Sequence, residues 1–278
     1  MIFDTHAHCY WDSLLPRIDE VLINMERVNI KKVVQIGCDL ETSNQAINLA
    51  KEYPGKFYAT VGLHPETAQD VEDFILVEAL ERLLISDADS IVAIGETGLD
   101  FHYLDGTEGG KYPIDPDRLT ERAISQIETQ KNWWRIQHEL ACKYDLPLVI
   151  HTRDARDATL KFMKEEGVGR AVMHCFSEDW SFARELMDFS NEIYFSFSGI
   201  VTYKNALKVQ EAAKNIPINR LLIETDAPFL APQPVRGQVC EPAFTRYTLE
   251  KIAELRGVSI LDIEDRIYEN SLRFYGVA

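Results

Sequence analysis

The sequence predicts an α/β fold, a (β/α)8 TIM barrel, on three observations. Eight short apolar runs recur along 278 residues, each followed by a stretch of helical character. The runs are apolar throughout rather than alternating, which suits parallel strands covered on both faces. Most of the histidines, with two acids, fall at the ends of those runs, and a barrel presents the C-terminal ends of its strands as its active face. The count of eight favours a closed barrel over an open doubly wound sheet. No shift in composition marks a linker, so one domain over 1–278 is expected.

The first eight residues, ending in Asp4-Thr-His-Ala-His8, read as a short buried strand. Side chains two apart on a strand share a face, so His6 and His8 are expected to point the same way, with the parity of Ile2 and Asp4. A helix around Leu14–Val28 follows, then a strand Val33–Cys38. Thr42 or Ser43 is the expected cap of a helix that runs to about Tyr53, where Pro54-Gly55 stops it. The third strand is Phe57–His64, and Pro65 suits the first position of the long amphipathic helix expected to about Ile85. Ile91–Glu96 is the fourth strand.

Residues 99–115 hold Gly106, Gly109, Gly110 and Pro113, and read as a long loop. Asp115-Pro116 looks like a cap and a first-turn proline, opening a helical region to about Tyr144 with room for one break. The remaining strands are Pro147–His151, Ala171–Cys175, Ile193–Ser198 and Leu221–Asp226. Two helices close the chain, the second starting with a capping-box pattern at Ser259 and Asp262.

Lysine and arginine number 29 against 45 acids, a net charge of −16. Such a surface repels polyanions at long range and argues against a broad basic groove for duplex DNA. A phosphate substrate stays open, because bound divalent ions reverse the sign locally. The five cysteines form no CxxC pair, and the N-terminus lacks a basic and apolar leader. Free thiols in a reducing cytoplasm are the expectation. No apolar run approaches the ~18 residues of a membrane span.

The strand ends carry the chemistry. The first strand ends in His6 and His8, the third in His64, the fourth in Glu96, the fifth in His151, the sixth in His174 and the eighth in Asp226. Imidazole with carboxylate is a nitrogen and oxygen set that suits Zn, Mn, Fe or Co better than an all-oxygen cage. Four histidines and two carboxylates exceed the needs of one tetrahedral ion, and two ions sharing Glu96 would use them all. Each residue alone has an ordinary reading: an isolated HxH is weak, Glu96 could serve a helix start, and Asp226 could cap the turn before Pro228. Their shared position at strand C-termini favours a metal site. His64 and His102 stay open between substrate contact and structural role. His138, mid-helix near Trp134 and Cys142, reads as structural. Cys175 should point away from His174 into packing, and Trp133-Trp134 should pack a helix on the barrel.

Asp4-Thr-His-Ala-His8, Val61-Gly-Leu-His-Pro65, Gly95-Glu-Thr-Gly-Leu-Asp100, Ile150-His-Thr-Arg153, His174-Cys-Phe-Ser177 and Glu224-Thr-Asp-Ala-Pro228, with Arg236-Gly and Glu241-Pro242 after them, follow the order and spacing of the TatD family. The chain resembles that family over nearly its whole length. The resemblance implies a TIM barrel with two divalent ions, Zn, Mn and Mg all being open, and a deoxyribonuclease or related phosphodiesterase activity on nucleic acid. His6, His8, Glu96 and Asp226 would hold one ion, and Glu96, His151 and His174 the other. Asp226 would orient the attacking water and take its proton, and His64, Arg153 and Arg236 would hold phosphate oxygens. A metallohydrolase of another bond, such as an aminoacyl-tRNA ester or a cyclic amide, is the alternative. A non-catalytic metal scaffold would lack a ligand, and none is lacking. Glu66 stands where the family commonly has a second histidine, and Glu178 where it usually has glycine. The stretch from Asp100 to Gln130 is longer than usual and could act as a lid.

Overall fold

In the computed structural model the described residues are 1–71, 75–106 and 119–278. Eight parallel strands pair in chain order: β1 (Ile2–Ala7), β2 (Ile30–Gln35), β3 (Phe57–Val61), β4 (Ile91–Asp100), β5 (Leu148–Arg153), β6 (Ala171–Met173), β7 (Ile193–Phe197) and β8 (Leu221–Ile223). Ala7 bridges Ala227 in parallel, the His8 N–H donates to the Ala227 carbonyl at 2.7 Å, and the Asp226 N–H donates to the His6 carbonyl at 2.9 Å. These bonds join the two ends of the sheet into the expected (β/α)8 barrel.

Side chains from every strand fill the barrel interior. Phe3, Val34, Val92, Val149, Val172 and Leu222 are buried together, with Tyr58 and Tyr194 packed against them. Tyr268, Phe274 and Tyr275 of the last helix, α10 (Ile260–Tyr275), complete that layer. The opposite faces of the strands, Ile2, Val33, Ala59 and Ile94 among them, belong to the larger outer core under the helices.

The helices are α1 (Ile18–Arg27), α2 (Leu40–Glu52), α3 (Pro65–Ala68), α4 (Ile75–Ser86), α5 (Glu121–Tyr144), α6 (Arg156–Glu166), α7 (Trp180–Phe189), α8 (Leu207–Asn215), α9 (Thr245–Arg256) and α10. Several local expectations need correction. The α2 cap is Asp39, whose carboxylate accepts the Thr42 N–H at 2.7 Å while the Thr42 hydroxyl accepts the Asp39 N–H at 2.9 Å. Thr42 is therefore the third residue of a capping box, not its cap. The stretch after Pro65 holds two helices, α3 and α4, rather than one. β4 runs on to Asp100, so Leu99 and Asp100 are strand and not loop. α5 is unbroken over 24 residues and is capped by the Thr120 hydroxyl. The start expected at Asp115-Pro116 lies outside the described residues. The Ser259 and Asp262 box opens α10 as expected. Among the described residues no helix is long and apolar enough to cross a membrane.

Candidate metal centre

Two strands carry an extra residue where the site begins. Asp4 pairs with Val33 and Ala7 with Gln35, so three steps on β1 match two on β2. Ile94 pairs with Leu148 and Thr97 with Ile150, the same mismatch on β4. Each is a bulge, and a bulge reverses the facing of everything after it. The parity assigned to β1 from sequence is therefore wrong in detail. Ile2 lies in the outer core and Phe3 in the interior, yet His6 and His8 still turn inward because the bulge lies between. On β4 the bulge delivers Glu96. Gly95 makes this possible: at φ 149° a Cβ there would stand 2.7 Å from the Val149 Cβ.

All six expected metal-site residues converge. His6 is fully buried, and its ring stacks on that of His174 with centroids 4.0 Å apart. His6 Nε2 lies 3.4 Å from Glu96 Oε2 and 3.5 Å from Asp226 Oδ1, and His8 Nε2 lies 3.4 Å from the same Asp226 oxygen. The other Glu96 oxygen, Oε1, lies 2.6 Å from His174 Nε2 and 2.8 Å from His151 Nδ1. Glu96 thus turns one oxygen to each of two nitrogen groups. Asp226 stands beyond β8 at φ 63°, an uncommon backbone setting for a non-glycine residue.

A second ring of residues orients the first. The Tyr10 hydroxyl donates to the Ile36 carbonyl at 2.6 Å, so it can only accept from His8 Nδ1, 2.9 Å away. That places the proton on Nδ1 and leaves the Nε2 lone pair facing Asp226. His151 Nε2 is 3.0 Å from Asp100 Oδ2, which in the same way leaves Nδ1 facing Glu96. His174 Nδ1 faces the buried Glu224, 3.4 Å away, and Glu224 also accepts the Cys175 N–H at 2.6 Å. Asp4, fully buried, accepts the Thr225 N–H at 2.9 Å and its hydroxyl at 2.6 Å, tying β1 to the chain just after β8. Tyr10, Asp100 and Glu224 were not singled out from sequence. Their signal was faint: Asp100 and Glu224 sit inside the motifs, but neither shows which ring it faces until the barrel closes.

Burial and mutual charge set the protonation. Burial opposes charge on Glu96, but the neighbouring His174 and His64 outweigh it and hold the carboxyl well below its usual range. Burial likewise opposes the Asp226 carboxylate, and the bond to His8 and the nearby imidazoles win, lowering it. His151 is pulled down by burial but held at about 8 by Asp100 and Glu96. His6 is pushed down, by burial and by His174, and so keeps a neutral ring. Both His6 ring nitrogens and His174 Nδ1 are buried without a hydrogen-bond partner. A neutral ring has one lone pair, and unpartnered buried nitrogens are rare in folded proteins; a cation on the His6 Nε2 lone pair, which faces Glu96 and Asp226, would satisfy that nitrogen. The groupings His6–Glu96–His174 and His6–His8–Asp226 both bring ligand atoms within 4.8 Å of one another. The residues present fit divalent ions.

The remaining expectations divide. His64 sits at the mouth, Nε2 3.5 Å from Glu96 Oε1, and its Nδ1 accepts the Glu66 N–H at 3.1 Å. Its ring therefore presents Nε2–H to the site. Arg153 lies over the Tyr103 ring at 5.1 Å, and Arg236 over the Tyr203 ring at 4.5 Å. Neither forms an ion pair among the described residues. His102 meets Asp154 at 2.9 Å beside the rim. Cys175 packs against the Ser198 hydroxyl at 3.2 Å, and burial raises its thiol well above the usual range, which fits packing rather than nucleophilic use. His138 meets Cys142 at 3.4 Å on α5, away from the site. Trp134 stacks on Phe162 and Trp133 donates to the Val71 carbonyl, both as packing.

The family model for TatD related DNase matches residues 3–276. YabD of Bacillus subtilis (strain 168), an uncharacterized metal-dependent hydrolase, is 37% identical over 281 residues, covering 100% of both chains. YcfH of Escherichia coli (strain K12), of the same description, is 34% identical over 283 residues, covering 99% of this chain and 97% of its own. Among solved structures, YjjV, a TatD homolog from Escherichia coli K12, superposes with a TM-score of 0.84 at 25% identity, covering 100% of this chain and 98% of that one. The barrel, the convergent imidazoles and carboxylates and these matches agree: the chain belongs to the TatD family of metal-dependent hydrolases.

Proposed function

We propose that the chain is a deoxyribonuclease that hydrolyses phosphodiester bonds at single strands or strand ends, in the manner of a 3'-5' exonuclease, with two divalent ions. His6, His8, Asp226 and Glu96 Oε2 would hold one, and His151, His174 and Glu96 Oε1 the other. The observation that carries this reading is the split of Glu96 between two nitrogen groups. When bound, such a pair lowers the pKa of a water and neutralises charge on the phosphoryl oxygens.

The side chains supply the rest. The Asp226 side chain is 17% exposed against 4% for Glu96, so a water can reach it and give it a proton. The His64 Nε2–H is placed to donate to a phosphoryl oxygen. Arg153 and Arg236, with no carboxylate partner among the described residues, can present guanidinium donors at the lip. The net charge of −16 disfavours gripping a long duplex through many phosphates, which supports action on ends or single strands. Five free cysteines suit a reducing cytoplasm.

The test is an activity panel on protein loaded in turn with Zn, Mn and Mg. Single-stranded DNA, RNA and a simple phosphodiester are set against an aminoacyl ester and a cyclic amide. The expected outcome is metal-dependent cleavage of DNA with release of mononucleotides. Turnover of the amide or aminoacyl ester alone would reject the reading.

A further inference from the structure

Two exposed aromatic rings stand at the lip of the metal centre, and the proposed hydrolysis leaves them without a task. Trp11 is 42% and Phe229 43% exposed. Their centroids are 5.0 Å apart and their planes nearly perpendicular at 86°. Both flank the same imidazole: Trp11 is 6.2 Å and Phe229 6.4 Å from the His8 ring.

Their backbones are tied to the site. Each lies three residues after a metal-site residue, in a turn that bonds back to it. The Trp11 N–H donates to the His8 carbonyl at 3.2 Å, and the Phe229 N–H donates to the Asp226 carbonyl at 2.9 Å. The Trp11 carbonyl in turn accepts from Leu14 and Leu15, both at 2.8 Å. Other exposed apolar side chains, such as Leu207 and Leu261, are single residues on outer helices and need no explanation. A wet pair of aromatic rings in mutual contact at the edge of the site does.

We propose that Trp11 and Phe229 form a corner that stacks the unpaired base next to the scissile phosphate. The inference rests on the phosphodiesterase reading above and names what that site grips besides phosphate. A flat ring lying on one face of the corner meets the other ring edge-on, the arrangement aromatic pairs prefer. Base stacking is tolerant of sequence and needs no positive charge. It suits a chain of net charge −16 that cannot lean on a lysine-lined track. The corner takes a base only where the strand is open, so it also selects ends and single strands over paired duplex.

The experiment uses full-length, Mn-loaded protein and two single-stranded oligodeoxynucleotides, one with a terminal base and one abasic at that position. The wild type should prefer the base-bearing end about tenfold in kcat/KM, carried mainly by KM. Trp11→Leu and Phe229→Leu should bring the ratio close to one, and Trp11→Phe should keep most of it. Metal-free protein gives a second reading: a dinucleotide should quench the fluorescence of exposed Trp11, and Trp11→Leu should lose that quenching. An unchanged ratio in both leucine variants, or no preference in the wild type, overturns the corner while leaving phosphodiester hydrolysis intact. Cleavage of neither oligonucleotide overturns both.

Discussion

Val149 and His151, Val172 and His174, and Leu222 and Glu224 are each two residues apart, about 7 Å along a strand or its immediate continuation. The lower member of each pair lies in an apolar layer sealed by α10, and the upper member faces Glu96 or its neighbours. The lower layer holds the barrel together by packing, and among the described residues none of its side chains has a buried polar atom without a partner. The upper layer gathers buried imidazoles and carboxylates, and the His6 and His174 rings have nitrogens unpartnered. The contrast shows where this fold puts packing and reactivity: the expensive groups sit on the rim of an apolar core packed beneath them.

The contrast can be broken from either side. Glu96→Gln keeps the shape of the side chain but removes the shared carboxylate. Metal-dependent hydrolysis should fall by at least about a hundredfold, while far-UV dichroism and cooperative melting persist. Retained activity in the metal-loaded variant would end the two-group reading of Glu96. Phe3→Ala, in the lower layer, should cost about 3–5 kcal/mol in urea unfolding, yet the folded fraction should still bind metal. If it does not, the two layers are not separable.

Smaller changes sharpen the line. Asp100→Asn leaves the fold but weakens the hold on His151, and calorimetric metal affinity should drop about 10- to 100-fold. Asp179→Ala touches neither layer. Asp179 caps α7 through the Phe182 N–H and pairs with Arg156. Burial opposes its charge, but the bonds from Ser181 and Phe182 and the Arg156 charge win and hold its pKa below the ordinary value. A depressed folded pKa means its contribution is fully present above the unfolded value near ~3.9 and fades as pH falls through the folded one. The variant should lose about 1 kcal/mol at pH 7, and the gap to wild type should narrow at pH 3, with hydrolysis at neutral pH unaltered.

Much of this was legible in the residues. Eight apolar runs announce eight strands, because a strand buried on both faces must be apolar throughout. The six proposed metal-site positions stand out because they end those runs. The turn of each ring was not legible. The bulges after Asp4 and Ile94 leave no periodic trace, so the parity argument placed His6 correctly for the wrong reason. The partners behind the ligands are joined only by folding: Asp100 meets His151 across 51 positions, and Glu224 meets His174 across about fifty. Caps misread by a few residues, as at Asp39, reflect that Asp and Thr can both start a helix and only the bond geometry decides between them.

The bonds between residues 4–8 and 225–227 have a consequence for the order in which the molecule comes together. The first strand leaves the ribosome with its imidazoles already in place but waits for more than two hundred further residues before Asp226 arrives. Contacts so distant in sequence are slow to form. An ion held by both ends of the sheet, as proposed above, would act as a clasp on the ring, favouring the closed form by RT ln(1 + [M]/Kd). Chelation should therefore loosen the seam between the first and last strands before any other part of the wall, and amide exchange at His8 and Asp226 is where that opening would first be seen.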